Sequence, residues 1–307
     1  MFQYIKYIIG IILFLYLFSL ININELLLTF KKITLIELIS IIFISFLLLL
    51  LQAFRLHMLI YNYVSSYKET IKLSFVSQFF SNFLPGGVAG DFYKINFLRK
   101  NKLSVSSGIA KIGIDRFSGL VVLLIFSTFY FLFNSNWFIQ NLSIEMNKVY
   151  WLLFFAILLP FIFFIFTNNF KDKIFKIYEN IKIDLLKIEK TKLYAFVVLN
   201  IIVFIVRLLK FQLIFWVLNY DFNFFDLILV AFVSQIAGML PISIGGLGVV
   251  EVSLVFGLSL FNVPEQTAFA FAILNRATIW IVSIVGGIYW FKFKSNIIFT
   301  EKNDSIN

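Results

Sequence analysis

The stretch FVSQIAGMLPISIGGLGVVE, residues 232–251, decides how this chain is built. It begins as an apolar, helix-like segment, which one proline and three glycines then interrupt ahead of a carboxylate: Pro241, Gly245, Gly246, Gly248 and Glu251. Proline removes a backbone donor, and glycine weakens a helix. The freed N–H and C=O groups are not tolerated against lipid, so a break at this depth must face protein or water. The stretch is therefore a candidate substrate site.

The same pattern occurs earlier in the chain as FVSQFFSNFLPGGVAGD, residues 75–91. The shared letters FVSQ lie 157 residues apart in the two copies. Three further pairs correspond in the same order: Pro85 with Pro241, Asp91 with Glu251, and Arg116 with Arg276. The last two pairs share an offset of 160, so each carboxylate precedes its arginine by 25 residues in both halves. An ordered series of this kind indicates an internal duplication.

The composition is typical of a membrane protein. Of the 307 residues, 61% are hydrophobic, 20% aromatic and only 14% charged, which is more apolar surface than a soluble domain can bury. The chain has no cysteine and a single histidine, His57, so disulfides and thiolate metal sites are excluded and we predict no cofactor. The basic residues behind the net charge of +10 lie in short loops, which favours contact with anionic lipid over nucleic acid.

We predict an all-α polytopic membrane protein that forms a single transmembrane domain over residues 1–307. Apolar runs long enough to cross a bilayer predict six full spans, at about 5–21, 33–54, 108–133, 149–167, 193–218 and 265–291. The interrupted segments at about 73–93 and 227–261 are expected to be re-entrant broken helices. The apolar arm before Pro85 has only about 12 residues, roughly 18 Å of helix, which is too short to cross.

The duplication divides the chain into a first repeat at about 33–133 and a second at about 193–291. Between them, residues 170–192 combine seven lysines and four acids with apolar residues at helical intervals. This pattern predicts an amphipathic helix that lies on the membrane surface.

Lysine and arginine are distributed unevenly among the predicted loops. With a cytoplasmic N-terminus, the inside loops hold 19 of the 26 basic residues and the outside loops hold three. Because positive loops stay inside, we predict a multi-pass protein of the cell (plasma) membrane with both termini cytoplasmic. The first interrupted segment then dips from the cytoplasm and the second from the exterior. The halves are therefore predicted to be inverted repeats, a design that transporters use.

Apart from Lys6 and Lys111, which are counted with the inside loops before their spans, four basic residues fall within predicted spans: Arg116, Arg207, Lys210 and Arg276. A charge at the centre of a span costs about 2.5–3.5 kcal/mol on insertion scales. We expect Arg116 and Lys210 to reach a span end, which Arg207 and Arg276 are too deep to do. One interpretation is that the deep pair lines a polar cavity and binds a phosphate. The other is structural, with Arg116 and Arg276 neutralised by Asp91 and Glu251.

Asp91 and Glu251 directly follow the glycine turns, and two roles stay open for them. Each begins an outgoing half-helix, where a carboxylate complements the positive helix end, or each is a gate whose pairing with an arginine breaks when substrate arrives. Six glycines are predicted to serve the turns and close backbone approach, with free N–H groups for a phosphate: Gly86, Gly87, Gly90, Gly245, Gly246 and Gly248. Asp115 is expected to pair with Lys111, one helical turn earlier.

At these residues the chain resembles the transmembrane region of lysylphosphatidylglycerol synthases, a flippase-like membrane domain that also occurs alone. The resemblance rests on LPGGVAGD at 84–91, Asp115-Arg116 and LPISIGGLGVVE at 240–251, and it covers about residues 5–291. The matching positions are Pro85, Gly86, Gly87, Gly90, Asp91, Asp115, Arg116, Pro241, Gly245, Gly246, Gly248, Glu251 and Arg276. One departure is Lys94, where the family often has arginine; lysine keeps the charge but loses the bidentate fork.

The resemblance implies a flippase that moves an anionic or aminoacylated phospholipid, or a polyprenyl-phosphate-linked sugar, between leaflets. Bifunctional relatives add a soluble aminoacyl-transferase domain, for which about 16 residues after the last span leave no room, so we expect no enzyme. Two alternatives stay open. One is a membrane enzyme acting on a lipid carrier, with Asp91 or Glu251 as base. The other is a partner of a separately encoded transferase, docked through residues 170–192. A homo-oligomer is also compatible with the sequence.

The orientation makes a prediction about two loops, residues 134–148 and 219–226, which should both lie outside the cell. A membrane-impermeant reagent applied to intact cells should therefore label accessible residues in both loops. Labelling of either loop only after the membrane has been opened would contradict the inverted topology.

Overall fold

A computed structural model describes residues 23–64, 66–84, 89–134, 190–239 and 243–303. These residues form nine α-helices and no strand. In chain order the helices are α1 Ile23–Lys31, α2 Leu35–Ile60, α3 Tyr67–Phe83, α4 Ala89–Lys100, α5 Val105–Phe133, α6 Lys190–Val217, α7 Leu227–Met239, α8 Val249–Ser259 and α9 Glu265–Asn303, with a short 3-10 turn, Ile244–Gly246, between α7 and α8. The predicted all-α architecture is confirmed.

Four of the described helices are long and apolar enough to cross a membrane: Leu35–Ile60, Val105–Phe133, Leu193–Val217 and Glu265–Lys292. They correspond to four of the six predicted spans. Large apolar side chains such as Phe43, Phe117 and Phe133 are exposed on them, as a lipid-facing surface requires. The spans predicted at 5–21 and 149–167, and the surface helix predicted at 170–192, lie outside the described residues apart from the first residues of α6.

Helix α2 extends further than the sequence pattern predicted. A capping box begins it: the Thr34 side chain accepts from the Glu37 backbone N–H, and the Glu37 carboxylate accepts from the Thr34 N–H. It then continues to Ile60 and includes Arg55, which the span predicted at about 33–54 leaves in the loop that follows. That expectation is wrong because the Arg55 side chain is buried against a carboxylate, so it interrupts neither the helix nor its packing.

Both predicted interruptions are present. Helix α3 ends at Phe83 and α4 begins at Ala89, while α7 ends at Met239 and α8 begins at Val249. The first arm is longer than expected, because Ser66 caps α3 and the helix begins at Tyr67, six residues before the predicted start. At 17 residues α3 is roughly 26 Å long.

The helices of the two halves follow one another at the offsets of the sequence duplication. The ends of α2 and α6 lie 157 residues apart, and the starts of α4 and α8 and of α5 and α9 lie 160 apart. The packing is reciprocal as well: α3 lies against α9, α7 lies against α5, and α2 lies against α6. Each half therefore places its first broken arm against the last helix of the other half.

The contact between α3 and α9 is unusually close at Gly286. A Cβ atom at this position would lie 1.9 Å from the carbonyl oxygen of Phe75, and one at Gly287 would lie 2.7 Å from the ring of Phe79. Only glycine permits this approach, so the pair serves helix packing.

We predict that Gly286→Ala lowers the stability of the purified protein by about 1–3 kcal/mol, because the new methyl group overpacks a contact between two backbones. Gly113→Ala is the matched control: it lies in α5, nothing lies within 4 Å of its added Cβ, and it gains the same helix propensity. Thermal unfolding in detergent compares the two variants. Equal melting temperatures would show that the α3–α9 contact is looser than described.

Candidate functional site

A polar cavity of about 360 Å³ lies at the centre of the described helices. Every helix from α2 to α9 contributes to its lining. Its charged lining residues are Arg55, Asp91, Lys94, Asp115, Arg116, Arg207, Lys210 and Arg276. The cavity therefore gathers the basic residues that the sequence placed within spans, as well as two that it did not.

The second interruption is held by an ion pair between Arg276 on α9 and Glu251 on α8. The Arg276 Nε–H donates to the Glu251 carboxylate, and both residues are buried, at 6% and 0% exposure. The other two guanidinium nitrogens donate to the carbonyl oxygens of Gly245, at 2.9 Å, and Gly246, at 3.1 Å. All three guanidinium nitrogens of Arg276 thus donate to groups of the protein.

Glu251 has a second role at the start of α8. Its other oxygen accepts from the backbone N–H of Gly248, at 2.6 Å, which caps the helix. The sequence left helix capping and arginine pairing as alternatives for this residue, and the structure contains both.

The glycines of the second interruption fit their predicted role in the turn. Gly245, Gly246 and Gly248 have φ values of 56°, 73° and 78°, which L side chains rarely adopt. A Cβ at Gly245 would also lie 2.8 Å from the backbone of Asn82, so this turn packs against the end of α3. At the first interruption, a Cβ at Gly90 would lie 2.1 Å from the Ser77 carbonyl oxygen, which confirms a close backbone approach there.

The first half contains the corresponding ion pair. Arg116 on α5 donates through Nε to Asp91, in the first turn of α4, at 2.6 Å. The structural pairing predicted for Arg116 and Arg276 is therefore present in both halves at the same 25-residue spacing. The two pairs differ in accessibility: the Arg116 and Asp91 side chains are 32% and 15% exposed, but those of Arg276 and Glu251 only 7% and 1%.

A third buried ion pair was missed by the sequence analysis. Arg55 on α2 donates to Asp115 on α5 at 2.7 Å, and its Nη1 donates to the side-chain oxygen of Asn200 on α6 at 3.0 Å. Ser118 donates to the same oxygen. The sequence suggested Lys111 as the partner of Asp115; the structure shows that the Asp115 carboxylate accepts from Arg55 on α2. The overlooked signal was an arginine flanked on both sides by continuous apolar sequence.

Arg207 and Lys210 on α6 also face the cavity. The Arg207 Nη1 donates to the side-chain oxygen of Gln235 on α7, which is a neutral partner. Lys210 is 3% exposed, so the expectation that it reaches the membrane interface is wrong. Within the described ranges, no carboxylate pairs with either side chain. Gln235, which the sequence analysis did not select, orients Arg207.

Four predicted site residues lie outside the described part of the chain: Pro85, Gly86, Gly87 and Pro241. The other ten are Gly90, Asp91, Asp115, Arg116, Arg207, Gly245, Gly246, Gly248, Glu251 and Arg276, and each lines the cavity, contacts a lining residue or forms the turn beside it.

Comparison with known proteins agrees with this architecture. The family described as the Lysylphosphatidylglycerol synthase TM region matches residues 3–287. The UPF0104 membrane protein MJ1078 of Methanocaldococcus jannaschii is 28% identical over 233 residues, which cover 73% of this chain and 99% of that protein. No solved structure matches the chain. The match extends over nearly the whole sequence, and the chain therefore belongs to the Lysylphosphatidylglycerol synthase TM region family of membrane proteins.

Proposed function

We propose that this protein is a flippase that moves a lipid with an anionic, phosphate-containing head group from one leaflet of the membrane to the other. The observation that carries the proposal is the central cavity, where Arg207 and Lys210 face polar space within a membrane-spanning chain. The family name, which refers to a phospholipid synthase, supports a lipid as the transported molecule.

Charge is the first argument. A basic side chain at the centre of a span costs about 2.5–3.5 kcal/mol on insertion scales, and the cost falls when a counter-charge is present. Arg55, Arg116 and Arg276 each have a carboxylate partner, but Arg207 contacts the neutral Gln235. A phosphate that enters the cavity supplies the missing negative charge and accepts hydrogen bonds from the guanidinium.

Topology is the second argument. The two halves share helix spacing, and each packs its broken arm on the last helix of the other, which is compatible with a pseudo-two-fold axis between them. We propose that they are inverted repeats with re-entrant arms, α3–α4 entering from the cytoplasm and α7–α8 from the exterior. Basic loops favour cytoplasmic termini in the plasma membrane.

The two corresponding ion pairs act as gates in this proposal. The Glu251–Arg276 pair is sealed, while the Asp91–Arg116 pair is partly accessible. In the proposed topology Asp91 lies on the cytoplasmic side, so the cavity here is accessible from the cytoplasm and closed to the exterior. Movement of one repeat against the other would exchange which pair is sealed.

Transport fits the candidate carboxylates better than catalysis does. A general base needs a carboxylate free to accept a proton from its substrate. Asp91 and Glu251, the two candidates for a membrane enzyme, each accept hydrogen bonds from an arginine. We therefore propose that neither is a catalytic base, and that any transferase chemistry on the lipid belongs to a separately encoded partner.

We predict that Arg207→Gln slows protein-dependent lipid movement by about tenfold or more, since a hydrogen bond to a charged group contributes roughly 1.5–3 kcal/mol. The measurement uses proteoliposomes with a chain-labelled fluorescent phosphatidylglycerol and a membrane-impermeant quencher. Lys68→Gln is the matched control, because Lys68 is exposed at the start of α3 and is not one of the residues that line the cavity.

Two results would contradict the proposal. One is a wild-type rate no higher than in protein-free vesicles. The other is an Arg207→Gln rate equal to that of Lys68→Gln, with both variants monodisperse in gel filtration.

The gate proposal predicts different effects of substitutions in the two ion pairs. Glu251→Gln should lower stability by about 3–5 kcal/mol, because it leaves Arg276 buried without a counter-charge. Asp91→Asn should cost about 1 kcal/mol, since Arg116 is partly exposed. Thermal unfolding measures the stabilities, and the vesicle assay should show slower lipid movement in Glu251→Gln and in Arg276→Ala. Unchanged rates in both variants would exclude this pair as a gate.

A further inference from the structure

Among the residues that the structure describes, the charges around the cavity do not balance. Six cationic side chains line it: Arg55, Lys94, Arg116, Arg207, Lys210 and Arg276. Three carboxylates pair with three of these cations. In the part of the chain that the structure describes, the Asp91 carboxylate also interacts electrostatically with Lys94, while no carboxylate pairs with Arg207 or Lys210.

The excess arises from a difference between the two halves. In the first half, Arg55 on α2 pairs with Asp115 on α5. At the duplication offsets of 157 and 160, the corresponding residues of the second half are Gln212 and Asn275. The amide of Gln212 donates instead to the backbone carbonyl of Phe222 at 3.1 Å. The second half has thus an uncharged amide, Asn275, at the cavity position where the first half has a carboxylate.

Arg207 and Lys210 lie three residues apart on α6, so they share one face of the helix, and both line the cavity that Asn275 lines. Lys210 is 97% buried, as its 3% exposure shows, and no hydrogen bond or ion pair joins its ammonium to another described side chain. Burial of an ammonium group without a partner is energetically costly. Because Lys210 lines a polar cavity, its charge indicates a ligand with negative charge.

We infer that the cavity selects lipids whose head group carries a net negative charge, and that it discriminates against aminoacylated head groups. The inference rests on the proposed lipid transport and specifies its substrate class. A phosphodiester such as phosphatidylglycerol carries one negative charge, which Arg207 and Lys210 complement. A lysyl ester adds two ammonium groups, which reverses the sign of the head group and places positive charge beside these side chains.

Asn275 is the specificity-determining position in this account. An aspartate there would supply the second half with the carboxylate that the first half has in Asp115, and would neutralise part of the excess. The negative head group of the lipid would then be repelled by the new aspartate, so the preference for anionic lipids should fall.

The experiment compares phosphatidylglycerol with lysylphosphatidylglycerol, both chain-labelled, in proteoliposomes and in binding to the purified full-length protein in detergent. Wild-type protein should move and bind phosphatidylglycerol about tenfold or more better than the lysyl ester. The preference for phosphatidylglycerol should be about tenfold lower in Asn275→Asp than in Asn275→Leu. Leucine has a similar volume and no charge. If Asn275→Asp is not monodisperse, Lys210→Met carries the test and should lower the same preference.

Equal rates and affinities for the two lipids in wild-type protein, or equal preferences in Asn275→Asp and Asn275→Leu, would overturn the inference. The failure of transport is a separate outcome. If neither lipid moves faster than in empty vesicles but phosphatidylglycerol still binds preferentially, the head-group selectivity stands and the proposed flippase activity falls. If the lysyl ester moves faster, transport stands and the selectivity is wrong.

Discussion

A chain that interrupts its helices inside a bilayer must give the freed backbone groups polar partners, because lipid offers none. Arg276 and Glu251 meet this constraint together. The guanidinium donates to the carbonyl oxygens of Gly245 and Gly246, and the carboxylate accepts from the N–H of Gly248. Their ion pair joins α8 to α9 across the turn. One buried pair thus allows the helix break, caps the helix that follows, and fixes the wall of the cavity.

The same solution, used twice, explains the polar interior of an otherwise apolar chain. Asp91 and Arg116 repeat the pair in the first half, and Arg55 with Asp115 adds a third between α2 and α5. The cations of these pairs need no ligand, because each is already neutralised. A ligand is required only by charges that the protein leaves without a counter-charge. In the described residues these lie chiefly on α6, at Arg207 and Lys210, which separates the residues that hold the cavity together from those proposed to bind in it.

Much of this arrangement was predictable from the sequence. The apolar runs predicted four spans that correspond to long apolar helices in the structure. The glycines with positive φ lie in the turn that the interrupted segment predicted. The equal spacing of Asp91–Arg116 and Glu251–Arg276 raised both ion pairs as one of two interpretations, and a duplicated sequence preserves contacts as well as helices. The repeat also located Asn275, but only after the Arg55–Asp115 pair was known.

Other features depended on tertiary contacts that local patterns do not contain. Arg55 was expected in a loop, because a charged residue ends an apolar run unless a carboxylate elsewhere in the fold pairs with it. Its partner, Asp115, lies 60 residues away in the sequence. Lys210 was expected at the membrane interface, since the sequence does not show that its side of α6 faces a cavity. Gln235 ends the repeated letters FVSQ, but its role in orienting Arg207 appears only when α7 packs beside α6.

The central claim is that Arg207 and Lys210 leave a site that a phosphate head group completes. The most direct measurement is mass spectrometry of the lipids that the protein retains through purification from its membrane. The account predicts that anionic phospholipids or other lipid phosphates are enriched over their share in the membrane, and that the double variant Arg207→Gln/Lys210→Met loses the enrichment. Retained lipids in membrane proportions for both proteins would contradict it.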